Sequence, residues 1–159
     1  MATVTSPAPQ PTQGVSKRVG RRIGYSVAIL VNLALLVLVN VWPGWQAVPF
    51  LTPETAEVVP YVNASILVSV LVNIVFLFTD SARVKALGDL MTGAASFVAT
   101  WVLLAVFPFD FSPYAFPWEF LAWGILILAL LGTGIGMVVN LVRLVRGPGV
   151  DRGSSHVSA

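Results

Sequence analysis

The sequence contains no cysteine and a single histidine. The lack of cysteine excludes disulfide bonds, thiolate nucleophiles and cysteine-ligated zinc. The histidine, His156, stands beside two serines in a polar C-terminal segment, where a solvated and inert side chain is expected. The formal net charge of +2 is too small to indicate a nucleic-acid partner. The sequence therefore predicts no cofactor, no metal centre and no nucleic-acid binding.

Charged residues are also scarce, at 10% of the chain against 57% hydrophobic residues. A soluble domain needs far more polar surface than this. The apolar residues form four runs that contain no Asp, Glu, Lys, Arg or His: 23–41, 61–78, 90–107 and 120–142. At about 1.5 Å per residue, helices of this length cross a hydrocarbon core of about 30 Å. The sequence predicts an all-α fold, a four-helix transmembrane bundle of two helical hairpins over residues 17–146.

Three other interpretations of the apolar runs are less consistent with the sequence. A basic segment before an apolar run also describes a secretory signal peptide, but the 23–41 run is longer than usual and no small-x-small cleavage site follows it. Helices of a soluble bundle need a polar face, which these runs lack. A transmembrane β-barrel needs short alternating segments, which are absent from the sequence.

The basic residues indicate an orientation, because all nine fall in three segments of the chain. These segments precede the first run, separate the second from the third, and follow the fourth. The connections 42–60 and 108–119 contain no Lys or Arg. By the positive-inside rule, the sequence predicts a multi-pass protein of the plasma membrane with both termini in the cytoplasm.

The segments outside the runs carry weaker signals. Residues 1–16 are rich in proline and polar residues, so a disordered tail is predicted, and a second one over 147–159. Thr52 followed by Pro53 is typical of a helix start and predicts a short outer helix over 53–59, which Pro60 would end or kink.

Small and polar residues recur at four-residue spacing within the runs, which places them on one face of each helix. The candidates for helix packing or for a polar cavity are Asn32, Ser69, Asn73, Ser96, Thr100, Gly132, Thr133 and Gly136. Small residues on one face let a neighbouring helix approach closely, and buried carboxamides need hydrogen-bonding partners. The sequence does not distinguish packing within the chain from packing against a second molecule, or bonded asparagines from a cavity for a neutral ligand.

The functional prediction rests on packing residues without accompanying chemistry. A proton relay, a voltage sensor or a coupled ion transporter requires ionisable groups within the membrane, and the runs have none. We expect a non-enzymatic membrane protein that acts as an accessory or assembly subunit or as a homo-oligomer, in contact with lipid and with a membrane-protein partner or a second copy. The alternative is a passive channel or carrier for a small neutral or hydrophobic molecule, lined by Asn32, Asn73, Thr100 and Thr133. A membrane-embedded enzyme ranks third, because no catalytic dyad is found.

Overall fold

A computed structural model describes residues 12–146 of the chain. They form four long helices: α1 (Thr12–Asn40), α2 (Thr55–Phe78), α3 (Ala82–Val106) and α4 (Trp118–Arg146). A short 3-10 turn, Trp45–Ala47, lies between α1 and α2. Each of the four helices is long and apolar enough to cross a membrane. The prediction of an all-helical protein with four membrane-spanning-length helices is confirmed.

Helix α1 is longer than the apolar run that predicted it. It begins at Thr12, so residues 12–16, expected to be disordered, are helical. The last proline of the N-terminal segment is Pro11, and beyond it no residue lacks a backbone N–H for the helix. The predicted disorder of residues 1–11 and 147–159, and the expected solvation of His156, lie outside the described residues.

The separate outer helix predicted over 53–59 is instead the first part of α2. The amide nitrogens of Thr55 and Ala56 donate to the carbonyl oxygens of Thr52 and Pro53 at 3.0 and 3.1 Å, which forms a tight first turn. The helix then continues through Pro60. Proline lacks the N–H that would bond four residues back, but the rest of the hydrogen-bond ladder carries the helix past it.

The helices pack in chain order: α1 against α2, α2 against α3, and α3 against α4. Within residues 12–146, no other pair of helices makes an extended contact. A closed bundle would also bring α1 against α4, so the predicted bundle is open on one side. The two hairpins are present, and α1 and α4 are the outer members of the row.

The buried apolar side chains are concentrated on α2, one of the two inner helices of this row. Five of the buried apolar side chains lie on α2, two on α3 and one on α4: Val58, Ile66, Val70, Val72, Phe76, Ala86, Ala99 and Leu130. The apolar residues of α1 and α4 are largely exposed. Exposed apolar side chains over this length are stable in lipid and not in water. The exposure therefore agrees with a membrane location.

The two connections that lack basic residues pair with each other. The amide of Thr52 donates to the carbonyl of Pro108 at 3.0 Å, and the amide of Asp110 donates to that of Phe50 at 2.9 Å, on either side of an antiparallel bridge between Leu51 and Phe109. The backbone turns into this bridge at the end of α3, where Phe107 has a φ of 45°. This left-handed residue ends the helix, with its amide bonded to the Leu103 carbonyl at 2.9 Å.

Aromatic rings cover the bridge. The rings of Phe109 and Phe111 stack with centroids 5.7 Å apart, and Phe50 lies 5.6 Å from Phe111. The Phe107 ring stacks on Trp123 of α4 at 5.2 Å. Such aromatic pairs contribute about 0.5–1.5 kcal/mol each beyond the area they bury. The cluster holds the two connections and the start of α4 together.

Candidate functional site

Two of the predicted candidates on α2 meet one on α1. The side-chain amide of Asn32 donates to Ser69 Oγ at 3.3 Å and to the Ala28 carbonyl at 2.8 Å. The amide of Asn73 donates to the Ser69 carbonyl at 2.8 Å. Ser69 therefore accepts hydrogen bonds from both asparagines. This arrangement satisfies the carboxamide donors within the protein, as a packing role requires.

The other polar candidates bond within their own helices. Thr100 Oγ1 donates to the Ser96 carbonyl at 2.8 Å, and Thr133 Oγ1 donates to the Ala129 carbonyl at 2.7 Å. Asn32 and Asn73 thus come together at the α1–α2 contact, while Thr100 and Thr133 bond on α3 and α4. The cavities described below for residues 12–146 are lined by other side chains. The geometry supplies packing hydrogen bonds at these positions.

A second carboxamide contact between α1 and α2 was not predicted. Asn40 Nδ2 donates to Asn63 Oδ1 at 2.8 Å, and Asn63 Nδ2 donates to Asn40 Oδ1 at 2.7 Å. Asn40 also donates to the Leu36 carbonyl at 2.8 Å. Both residues stand near run ends that share the same side in the predicted topology. That shared depth is the sequence signal that could have paired them.

The basic end of α1 is tied to the α2–α3 connection. Asp80 accepts from Arg21 at 3.2 Å and from Lys85 at 3.3 Å. The Lys85 ammonium lies 5.9 Å from the centre of the Tyr25 ring, which in turn packs against Phe76 at 5.4 Å. The hydrogen bond from Lys85 lowers the pKa of Asp80 below its ordinary value of 3.8, with smaller contributions from the charges of Arg21 and Arg18.

The glycines fall into two groups according to what surrounds them. A methyl group on Gly88 would lie 2.7 Å from atoms of Phe76 and of Val72, so α2 and α3 approach too closely there for a larger residue. On α4, Gly134 faces Phe97 of α3. Gly88 is therefore a position of close packing between α2 and α3.

Gly132 and Gly136 belong to the second group. A methyl group on either would meet no described atom within 4 Å beyond its own stretch of helix. At about 100° per residue, both lie on the opposite side of α4 from Gly134, which is two positions from each. The two glycines therefore face away from α3. They make no contact within residues 12–146 that explains a glycine at either position.

Two cavities lie at opposite ends of the helices. One, of about 390 Å³, opens between α3 and α4 at the basic end. The other, of about 450 Å³, is an apolar groove between the 42–54 connection and α4, lined by residues that include Phe50, Tyr114 and Trp118. Among residues 12–146, no group of three or more His, Cys, Asp or Glu side chains is placed to hold a metal ion.

Comparison of the chain with protein-family models, with curated proteins and with solved structures found no match.

Proposed function

We propose that this protein is a non-enzymatic membrane assembly protein whose open row of helices is completed by another transmembrane helix, from a second copy or from a partner membrane protein. The proposal rests on the outward-facing glycines of α4. Within a bilayer, apolar surface alone does not drive helices together, and small residues that permit close backbone approach do. Gly132 and Gly136 provide such a surface on the side of α4 that no other helix within residues 12–146 covers.

The open arrangement of the helices supports the same function. The outer helices α1 and α4 each pack along one other helix, and Leu130 is the only side chain of α4 among the buried apolar residues of the described chain. Large apolar residues beside the two glycines are exposed, with Leu128 at 70% and Ile135 at 66%. Ridges of this kind beside a glycine groove have the shape that a facing helix fits.

The proposed location is the plasma membrane. In the proposed orientation, the basic end of the helices faces the cytoplasm. Arg21, Arg83 and Arg143 all lie at that end, and the connections at the other end contain no Lys or Arg. Short loops that contain basic residues are rarely moved across the membrane, so the end that holds the basic residues is expected to stay in the cytoplasm. The paired connections with their aromatic cluster then face the outside.

Crosslinking in the native membrane tests the proposal. The chain has no native cysteine, so a single cysteine in place of Ile135 reports contacts of the glycine face alone. We expect a crosslinked species that contains two copies, or one copy and a recurring partner, when a photoactivatable maleimide attached to this cysteine is irradiated in the membrane. Blue-native electrophoresis should show the same assembly without crosslinker.

A bulky substitution then identifies the face. Gly132→Leu with Gly136→Leu should reduce the assembled fraction several-fold, because the added side chains separate the helix backbones. Gly20→Leu with Gly24→Leu is the matched control, since these two glycines are also four residues apart and face open space but lie on α1. A chain that stays monomeric in the membrane, or equal loss in both variants, would contradict the proposal.

A further inference from the structure

Five of the seven residues that line the cavity between α3 and α4 at the basic end are of polar or charged type. The first two turns of α3 contribute Arg83, Lys85 and Asp89, and the end of α4 contributes Asn140 and Arg143. Its volume of about 390 Å³ is within the range of small-ligand pockets, about 300–1,000 Å³. Two helices thus combine three cations, one carboxamide and one carboxylate around a single space.

The charges of this cavity are not balanced within the described chain. The two ion pairs among the described side chains both involve Asp80, which binds Lys85 and Arg21 outside the cavity. Arg83 and Arg143 are in neither of these pairs. With Lys85 paired to Asp80, the remaining charged residues of the lining are Arg83, Arg143 and the single carboxylate Asp89, so the cavity carries a net positive charge. An anion is therefore the ligand that its electrostatics favour.

The depth of the cavity indicates where such an anion would come from. Arg83 and Lys85 lie just before the apolar run 90–107, and Arg143 directly follows the run 120–142. This is the level at which a bilayer changes from acyl chains to headgroups. Guanidinium groups bind phosphate oxygens through two parallel hydrogen bonds, and the Asn140 amide provides a further donor.

We infer that the cavity between α3 and α4 binds the headgroup of an anionic phospholipid, with Arg83 and Arg143 holding its phosphate. The acyl chains extend along the exposed apolar surfaces of the two helices. Basic pockets between transmembrane helices bind anionic headgroups by the same attraction.

Native mass spectrometry of the full chain released from nanodiscs tests the inference. The probes are phosphatidylglycerol, phosphatidylcholine with the same acyl chains, and inorganic phosphate. We expect one phosphatidylglycerol to stay bound in preference to phosphatidylcholine, and inorganic phosphate at millimolar concentration not to displace it. Arg83→Gln with Arg143→Gln should weaken that binding by about tenfold or more, the scale of two charged contacts to a headgroup.

The control variant carries Arg18→Gln with Arg22→Gln, which removes the same charge from the same end of the molecule but outside the cavity. It should change binding by about twofold or less, because charges on α1 attract anionic lipid to the surface of the protein and do not contact a headgroup inside the cavity. Equal weakening in both variants, equal retention of the two lipids, or displacement by inorganic phosphate would overturn the inference. Unfolding midpoints of both variants, matched to wild type, show that any loss of lipid arises from a folded protein.

Discussion

Asn40 of α1 and Asn63 of α2 exchange two hydrogen bonds, each amide donating to the other carbonyl oxygen at 2.8 and 2.7 Å. This reciprocal pair lies at the C-terminal end of α1. The Asn32–Ser69 contact lies about two turns earlier in α1, and the Arg21–Asp80 pair lies nearer the start of the helix. α1 is thus bonded to α2 and its following connection at three levels. The polar residues of α1 therefore contribute to its position on α2 beside its apolar surface.

A double-mutant cycle on Asn40 and Asn63 should show coupling between them. We expect Asn40→Leu and Asn63→Leu each to lower the free energy of unfolding, and the double variant to lower it by less than the sum. The coupling should be about 0.6 kcal/mol and at most about 1.7, the range measured for interhelical hydrogen bonds in membranes. Steric trapping or SDS titration measures it, and strict additivity would show that the pair contributes nothing.

Gly88→Ala should destabilise the fold. The added methyl group would lie 2.7 Å from Phe76 Cε1 and Cζ and from Val72 Cγ1, so these two buried side chains, or the helices that carry them, must shift. Overpacking of this kind costs about 1–3 kcal/mol. The same substitution at Gly132 is the control. Apart from the backbone of α4 itself, no described atom lies within 4 Å of a methyl group added there. Unfolding measured on monomeric protein should separate the two variants, and equal stabilities would contradict the α2–α3 geometry.

The Arg21–Asp80–Lys85 cluster should lose its stabilising effect in acid. The folded pKa of Asp80 lies below its ordinary value of 3.8, chiefly through the hydrogen bond from Lys85. A lowered folded pKa gives stability that is fully present above the unfolded pKa and is lost as the pH falls through the folded pKa. We therefore expect Asp80→Asn to be less stable than wild type at neutral pH, and the difference to shrink below the unfolded pKa and to disappear once the pH has fallen through the folded pKa. A difference that is independent of pH would assign the effect to packing.

The proposed orientation can be checked with single cysteines at Ser81 and Ser112, on opposite connections of a chain with no native cysteine. Ser81 makes no side-chain cap, and the backbone amide of Ser112, which a cysteine keeps, donates to Asp110 at 2.9 Å. We expect a membrane-impermeant maleimide to label the Ser112→Cys variant in intact cells. The Ser81→Cys variant should react only after permeabilisation. The reverse labelling pattern would invert the orientation.

Much of the fold could be predicted from the sequence, because charge-free apolar runs of spanning length have few other structures open to them. The ends of α1, α2 and α3 lie within a residue of the ends of their runs at 41, 78 and 107. The beginnings differ, because an apolar run marks where lipid begins and a helix continues beyond it through charged residues. Arg83 and Lys85 lie inside α3 for this reason.

The candidate site was predicted only in part. The contact among Asn32, Ser69 and Asn73 can be anticipated from the sequence, because the four-residue spacing gives the helix face and the position in the run gives the depth. The outward direction of Gly132 and Gly136 is not readable, because it depends on which side of α4 meets α3. The pairing of Leu51 with Phe109 also depends on the relative position of two hairpins, which no local pattern specifies.

Hydrogen bonds hold α1 in place, whereas α4 has no side-chain hydrogen bond to another helix among the described residues. It meets α3 through shape, with Gly93 against Met137 and Gly134 against Phe97, and it stacks Trp123 on Phe107. Such contacts permit small rotations that a fixed donor and acceptor would resist. α4 also contains the longest apolar run, 120–142. In a thinner bilayer, α4 is therefore the helix that tilts first, and the exposed glycine face turns with it.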